Sequence, residues 1–262
     1  MTAGLWVGAG AREVLAVPGP GHVVAVYRRA AYLRLPGGII ALVAPGVPRG
    51  PLWVGGAGEA SLRLRLPVTV GQGWLEVEGR TLPVGGAEIW WGPLPDPLHL
   101  RSGLALAAEV LAGGSASALL EEPWRPGWHR AESALHAGEL RMTATVLGGL
   151  GPGLTPAGDD ALAGILLARH ALGDGGGELL DVAGSVVTTD LSRALLRWAA
   201  EGQSVEPVHD LLMAVAAGDR PGALSTVARI ASLGASSGAD LLLGLRLGLA
   251  PLRTPPAIHP SG

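Results

Sequence analysis

Up to about Pro95, short alternating or continuous apolar runs are separated by Gly/Pro clusters: 22-HVVAVYRR-29, 39-IIALVA-44, 61-SLRLRL-66 and 74-WLEVEG-79. Runs of this length bounded by turn residues predict strands. In 61–66, Leu62, Leu64 and Leu66 fall on one face and Arg63 and Arg65 on the other, the period-2 pattern of a half-buried strand. Turn signals this frequent favour a small barrel or sandwich over a parallel sheet. From Asp96 the punctuation thins, and Ala/Leu-rich stretches over 98–112, 130–148, 159–172, 178–200, 205–217, 220–233 and 239–249 predict helices. In 191-LSRALLRWAAEG-202, Leu191, Ala194, Leu195 and Trp198 form one stripe that ends in a glycine stop. The expected class is α+β: a β-rich barrel or sandwich-like module over 1–95, an all-α helical domain over 96–250, and an extended tail over 251–262 with Pro255, Pro256 and Pro260.

Composition narrows the chemistry. The 262 residues are 48% hydrophobic and 16% charged, enough for one large core or two modest ones. The 42 glycines and 21 prolines approach a low-complexity level, but the apolar content is far too high for disorder. A net charge of -3 with scattered basic residues leaves no electrostatic footprint for nucleic acid or an anionic membrane. The absence of cysteine removes disulfides, thiolate nucleophiles and thiolate metal sites. All 19 basic residues are arginine, so Schiff-base chemistry and a Walker-type phosphate loop are excluded. With no phenylalanine, the eight tryptophans, including Trp90 and Trp91, are the expected aromatic core filler.

Mean hydropathy is +0.37, yet no apolar run approaches the roughly 20 residues a membrane helix needs. The longest uncharged stretch, 142–158, is broken by Pro152 and Pro156, and Glu13 interrupts any signal-like start. The expected location is the cytoplasm. So much apolar content with so little charge is compatible with a homo-oligomer.

The most distinctive stretch is 148-GGLGPGLTPAGDDALAGILLA-168, a Gly/Pro loop running into an apolar helix with Asp159 and Asp160 in its first turn. Unpaired N–H groups at a helix start carry positive partial charge, and a glycine loop there is a candidate anion or phosphate cradle. The two carboxylates oppose a bare phosphate unless a divalent cation such as Mg²⁺ lies between them. The structural alternative is that Thr155 or an aspartate caps the helix and the glycines only turn the chain.

Sliding the chain by 80 positions aligns 158-GDDALAGILL-167 with 238-GADLLLGLRL-247 without a gap. Gly158 meets Gly238, Asp160 meets Asp240, and Gly164 meets Gly244, so the pattern G-x-D-x-L-x-G-x-x-L occurs twice. Thr155 and Pro156 precede one copy, Ser236 and Ser237 the other. A mid-helix glycine costs about 1 kcal/mol relative to alanine, so equivalent glycines in both copies predict close backbone approach. On this reading the helices pack at Gly164 and Gly244 and bring both loops and their aspartates to one site. A decayed helical repeat without a shared site is the alternative.

Other candidates are weaker. In 188-TTDLSRALL-196, Thr188 or Thr189 has the position of an N-cap and Ser192 sits one turn inside. Helix-interior hydroxyls usually bond their own backbone. Arg193 and Arg246, just downstream of the loops, could neutralise an anion or face solvent. His129 and His136, seven apart, lack a third ligand for zinc.

The elements 150-LGPGLTPAGDD-160 followed by LAG, 188-TTDLS-192 and 234-GASSGADLLLGL-245 resemble a bacterial family otherwise of unknown function that includes the AllH subunit of oxamate carbamoyltransferase. The resemblance spans the three motifs in order and the β-then-α layout, roughly the whole chain. It implies a transferase subunit of purine/allantoin catabolism that works with other subunits, exchanging oxalurate plus phosphate for oxamate plus carbamoyl phosphate. Where relatives carry a His or Thr in the last loop, this chain has Ala235 and Ser236.

The site residues carried over are Gly151, Gly153, Thr155, Gly158, Ser192, Ser236, Ser237 and Gly238 for ligand, with Asp159, Asp160 and Asp240 for catalysis or Mg²⁺. The expected function is a carbamoyltransferase-like subunit that binds carbamoyl phosphate, oxamate or oxalurate at the Gly-rich helix starts. A non-catalytic assembly subunit whose aspartates only cap helices, and a stand-alone metal-dependent hydrolase, are the alternatives.

Overall fold

The computed structural model describes residues 4–56, 63–113 and 117–251. The first part forms one curled nine-stranded sheet. Its strands are β1 (Trp6–Gly8), β2 (Gly19–Val26), β3 (Ala30–Leu35), β4 (Gly38–Val43), β5 (Trp53–Gly55), β6 (Pro67–Gly71), β7 (Trp74–Val77), β8 (Arg80–Leu82) and β9 (Glu88–Trp90), in the spatial order β8-β7-β6-β2-β3-β4-β5-β1-β9. Most pairs are antiparallel, as expected for hairpins, but β4–β5 and β1–β9 are parallel. The β7–β8 turn places Glu78 and Gly79 at φ 52° and 72°, the two left-handed residues that a tight hairpin turn requires.

The central strand β4 shows why 39-IIALV-43 reads as a continuous apolar run. Ile40 and Leu42 pack with Ala11, Val14 and Leu15 of α1 (Ala9–Leu15), Ile39 packs with Leu191 and Trp198, and Ala41 and Val43 pack with Trp6 and Trp90. Both faces are therefore covered, and no alternation is needed. The short helix α1, which the strand-like punctuation did not announce, supplies the cover on one side.

One expected strand is not formed. Residues 61 and 62 lie outside the described residues, and residues 63–66 are a turn. Arg65 adopts φ 62°, which breaks the alternation and leaves Leu64 62% exposed. Two backbone bonds still tie this turn to β2, from Arg65 N to Val23 O and from Val23 N to Leu66 O. Pairing resumes at Pro67.

Ten helices follow among the described residues: α2 (Pro97–Ser102), α3 (Leu104–Leu111), α4 (Arg125–His136), α5 (Leu140–Leu147), α6 (Ala157–Ala171), α7 (Gly176–Ser185), α8 (Asp190–Ala200), α9 (Glu206–Ala216), α10 (Arg220–Ala231) and α11 (Ser237–Leu249). Three predicted helices are each split in two. Gly103 separates α2 from α3, Gly138 at φ 81° separates α4 from α5, and the β-branched run Val186, Val187, Thr188 and Thr189 leads out of α7 into the N-cap of α8.

Helix α6 is the axis of the helical core. Ile165, Leu166, Leu167 and Ala168 are all fully buried, the signature of a helix packed on every side. Several contacts join sheet and helices, among them the Arg34–Asp190 ion pair and the Arg49–Glu206 bonds. Helix α8 lays Leu191 and Trp198 on Ala9, Ile39 and Leu52. Gln203 clasps the backbone of Gly92, and His209 bonds Pro93 O at 2.9 Å and Ser204 N at 3.1 Å. Of the eight tryptophans, Trp6, Trp90, Trp128 and Trp198 are buried core filler, whereas Trp91 is 57% exposed. No helix among the described residues is long and apolar enough to cross a membrane.

Candidate functional site

The duplicated glycines set the geometry. A methyl group at Gly164 would lie 2.7 Å from Leu245 N, and one at Gly244 would lie 2.6 Å from the Ala161 carbonyl carbon. Helices α6 and α11 therefore touch backbone to backbone, at the two positions where their sequences match. The leading glycines are equivalent too. A methyl at Gly158 would meet the Leu147 carbonyl carbon at 3.0 Å, and one at Gly238 the Ile230 carbonyl carbon at 2.9 Å. Each helix thus starts across the end of the helix before it, α6 over α5 and α11 over α10. The two starts meet where Thr155 Oγ1 and Ser237 Oγ stand 3.3 Å apart.

The three aspartates are not equivalent. Asp159 is buried, and both of its carboxylate oxygens are engaged: Gly149 N donates to Oδ1 at 2.8 Å and the Thr188 hydroxyl donates to Oδ2. It ties the glycine loop to the segment entering α8. Asp240 is fully buried; Oδ1 accepts a 2.6 Å hydrogen bond from Ser117, while Oδ2 is buried without a partner. Asp160 Oδ2 is likewise buried and unpartnered. Burial pushes the Asp160 carboxyl up to about 8; the charges of Asp240 and Asp159 push the same way, and the hydroxyls of Ser237 and Thr155 oppose it. Burial also raises Asp240, against the hydroxyls of Ser117 and Ser236 and the amides of Ala118 and Leu119.

Several expectations are corrected here. Neither Thr155 nor an aspartate caps α6: its N-cap is Pro156, and no side chain closes the first turn. The N-cap of α11, Ser236, makes no side-chain cap bond either. Fewer amides are left open at this helix start than the motif suggests, because Gly158 N donates to Leu150 O and Asp159 N to Pro156 O. Gly151 and Gly153, at φ 114° and 102°, keep their amides off every backbone carbonyl among the described residues. Among those residues no group of three or more His, Asp or Glu side chains is gathered as a metal-binding set.

The third motif does reach this place, as a clamp. Thr189 is the N-cap of α8, and its hydroxyl and that of Ser192 donate to Leu154 O at 2.6 and 3.3 Å, pinning the glycine loop. Arg193 spends one guanidinium nitrogen on Thr188 O. Arg246 lines a different cleft of about 440 Å³ between α3, α4 and α11, together with His129 and His136.

Two participants, Ser117 and Tyr32, escaped the sequence reading, and Thr188, read there only as an N-cap candidate, has another role. Ser117 and Thr188 supply hydroxyls to the aspartates. Tyr32 of β3 packs in the same apolar cluster as Leu154 and Leu191. Its hydroxyl is pushed up to about 12 by burial, with the charges of Tyr27 and Asp160 adding to it. The sheet thereby brings a phenol within electrostatic reach of Asp160. No local signal marks it.

Residues 147–249 match the family model described as oxamate carbamoyltransferase subunit AllH. The resemblance read from the three motifs is borne out over this stretch, which runs from the last residue of α5 through α11 and contains both loops, both matched aspartates and the Thr189 clamp. It is narrower than the whole chain: the sheet and α1 to α4 lie outside it. No solved structure matches the chain.

Proposed function

We propose that this chain is a subunit of an oxamate carbamoyltransferase-like complex and that the paired starts of α6 and α11 bind a small anion, one of carbamoyl phosphate, oxamate or oxalurate. The observation that carries the reading is the coincidence of the family match with two buried, unpartnered carboxyl oxygens, Asp160 Oδ2 and Asp240 Oδ2, at matched positions in the first turns of α6 and α11. The amides of Gly151 and Gly153 and the hydroxyls of Thr155, Ser236 and Ser237 are the donors for phosphate or carboxylate oxygens. Asp160 in its neutral form does not repel them. Ser192, Thr188 and Thr189 hold the loop in shape, and the role is positional, orienting one reactant while other subunits complete the chemistry.

The test is a thermal-shift titration of the purified chain with each of the three compounds. A ligand at 100 times its Kd adds about 2.7 kcal/mol of stability, a clear rise in Tm. No rise with any compound, alone or with partner subunits added, overturns the assignment.

A further inference from the structure

Helix α11 has two working faces. Gly244 and Gly248 set its backbone against α6, while Leu243, Arg246, Leu247 and Ala250 recur at i, i+3, i+4 and i+7 and line the cleft on the opposite side. Helix α3 meets that stripe with Leu104, Ala107, Ala108 and Leu111, at the same spacing. Helix α4 forms the third wall with Trp128, Glu132 and its two histidines. The three faces leave a cleft of about 440 Å³ between them, within the roughly 300–1,000 Å³ typical of small-molecule sites, which are mostly apolar with a few placed polar groups.

The polar groups set the class of ligand. In the gapless alignment at a spacing of 80, Arg246 falls where the first copy has Leu166, which is fully buried in the helical core. The second copy thus carries a fixed positive charge on an otherwise apolar stripe. The Arg246 guanidinium has no ion pair or hydrogen bond among the described residues. Glu132, the acid of the lining, stands 3.5 Å from His129 Nδ1 and is matched there. One guanidinium pairs one carboxylate through two parallel N–H bonds, whereas a dianionic phosphate would also meet Glu132. The leucine walls require an apolar body, which an anion the size of oxamate lacks. We propose that the cleft between α3, α4 and α11 binds a carboxylic acid with an apolar chain, its carboxylate on Arg246 and its chain along Leu104, Trp128 and Leu247. This site is separate from the paired helix starts and does not rest on the function proposed for them.

The experiment is calorimetric titration of the full chain with octanoate, with butyrate and octan-1-ol as probes of the two ends. Octanoate is expected to bind, with each methylene from butyrate upward tightening it by up to roughly fourfold, and octanol to bind about tenfold more weakly. Arg246→Gln is expected to weaken octanoate about tenfold and to leave octanol unchanged. Ala108→Trp, at an exposed position of the wall, is expected to block both. Melting curves without ligand verify that each variant is folded. Excess oxamate is expected to leave octanoate binding unchanged. A wild-type chain that takes no octanoate overturns the proposal and makes the cleft a face for a protein partner. Equal binding by wild type and Arg246→Gln overturns it as adventitious apolar contact only, and displacement of octanoate by oxamate overturns it by placing the acid at the helix starts.

Discussion

The close packing of α6 on α11 can be tested by a substitution whose sign is informative. Alanine at an ordinary helix-interior glycine stabilises by about 1 kcal/mol. At Gly244 the added methyl would lie 2.6 Å from the carbonyl carbon of Ala161 and 2.8 Å from its Cα, with the carbonyl oxygen nearer still. Carbon atoms in good contact stand about 3.5–4.0 Å apart, so the helices must separate by roughly 1 Å. The obstructing atoms are backbone, which cannot rotate away. Overpacking of this kind costs about 1–3 kcal/mol, and backbone-on-backbone contact belongs at the upper end. After the propensity gain is subtracted, Gly244→Ala is expected to lose about 2 kcal/mol, or roughly 4–8 °C in Tm for a chain of this size. Gly184, inside α7 with nothing within 4 Å of a new methyl, is the internal control. Gly184→Ala is expected to raise Tm by a few degrees. Differential scanning calorimetry of both variants decides the matter. A Gly244→Ala protein that melts at or above wild type refutes the packing argument.

Three further outcomes are expected. Asp159→Ala removes the acceptor of Gly149 N and Thr188 Oγ1 and should destabilise by about 1–3 kcal/mol in chemical denaturation, with faster proteolysis in the 148–155 loop. His209 is held neutral by burial, its pKa lowered despite the Pro93 and Ser204 bonds. Its contribution is complete above the unfolded value of about 6.5 and is lost as pH falls through the depressed folded value, so His209→Gln should flatten the acid limb of a Tm–pH curve. Asp160 has the opposite slope. The folded state keeps a proton that the unfolded state gives up between its ordinary 3.8 and about 8, so stability falls as pH rises across that interval, and Asp160→Asn should remove the fall.

What the sequence made legible follows from how local each signal is. The stripe of Leu191 and Trp198, the uninterrupted run of β4 and the matched glycines of α6 and α11 all report which face of an element is covered, and each reading survives in the structure. The duplication went further than composition could, because a gapless match at a spacing of 80 carries tertiary information: identical small residues on two helices are what two helices in contact need. The failures are equally physical. Arg65 and Glu78 take left-handed φ without being glycine, Arg65 where its N–H bonds Val23 O and Glu78 in the tight β7–β8 turn. Ser117 sits 123 residues from Asp240, and no pattern along the chain joins them. Arg246 follows its loop closely in sequence, yet about one and two-thirds helical turns carry it from Asp240 to another cleft.

The two copies have diverged in a way that matters for chemistry. Where the first copy has Asp159, the second has Ala239. Asp159 is consumed in anchoring the Gly149 loop to Thr188, so the first copy is braced from its own side, while Asp160 is met by the hydroxyls of Ser237 and Thr155. The second copy lacks that brace and instead fixes its matched aspartate through Ser117, from outside the repeat. A symmetric backbone frame, fixed by four matched glycines, thereby holds two aspartates whose hydroxyl partners come from different parts of the chain: Thr155 and Ser237 at Asp160, Ser117 and Ser236 at Asp240.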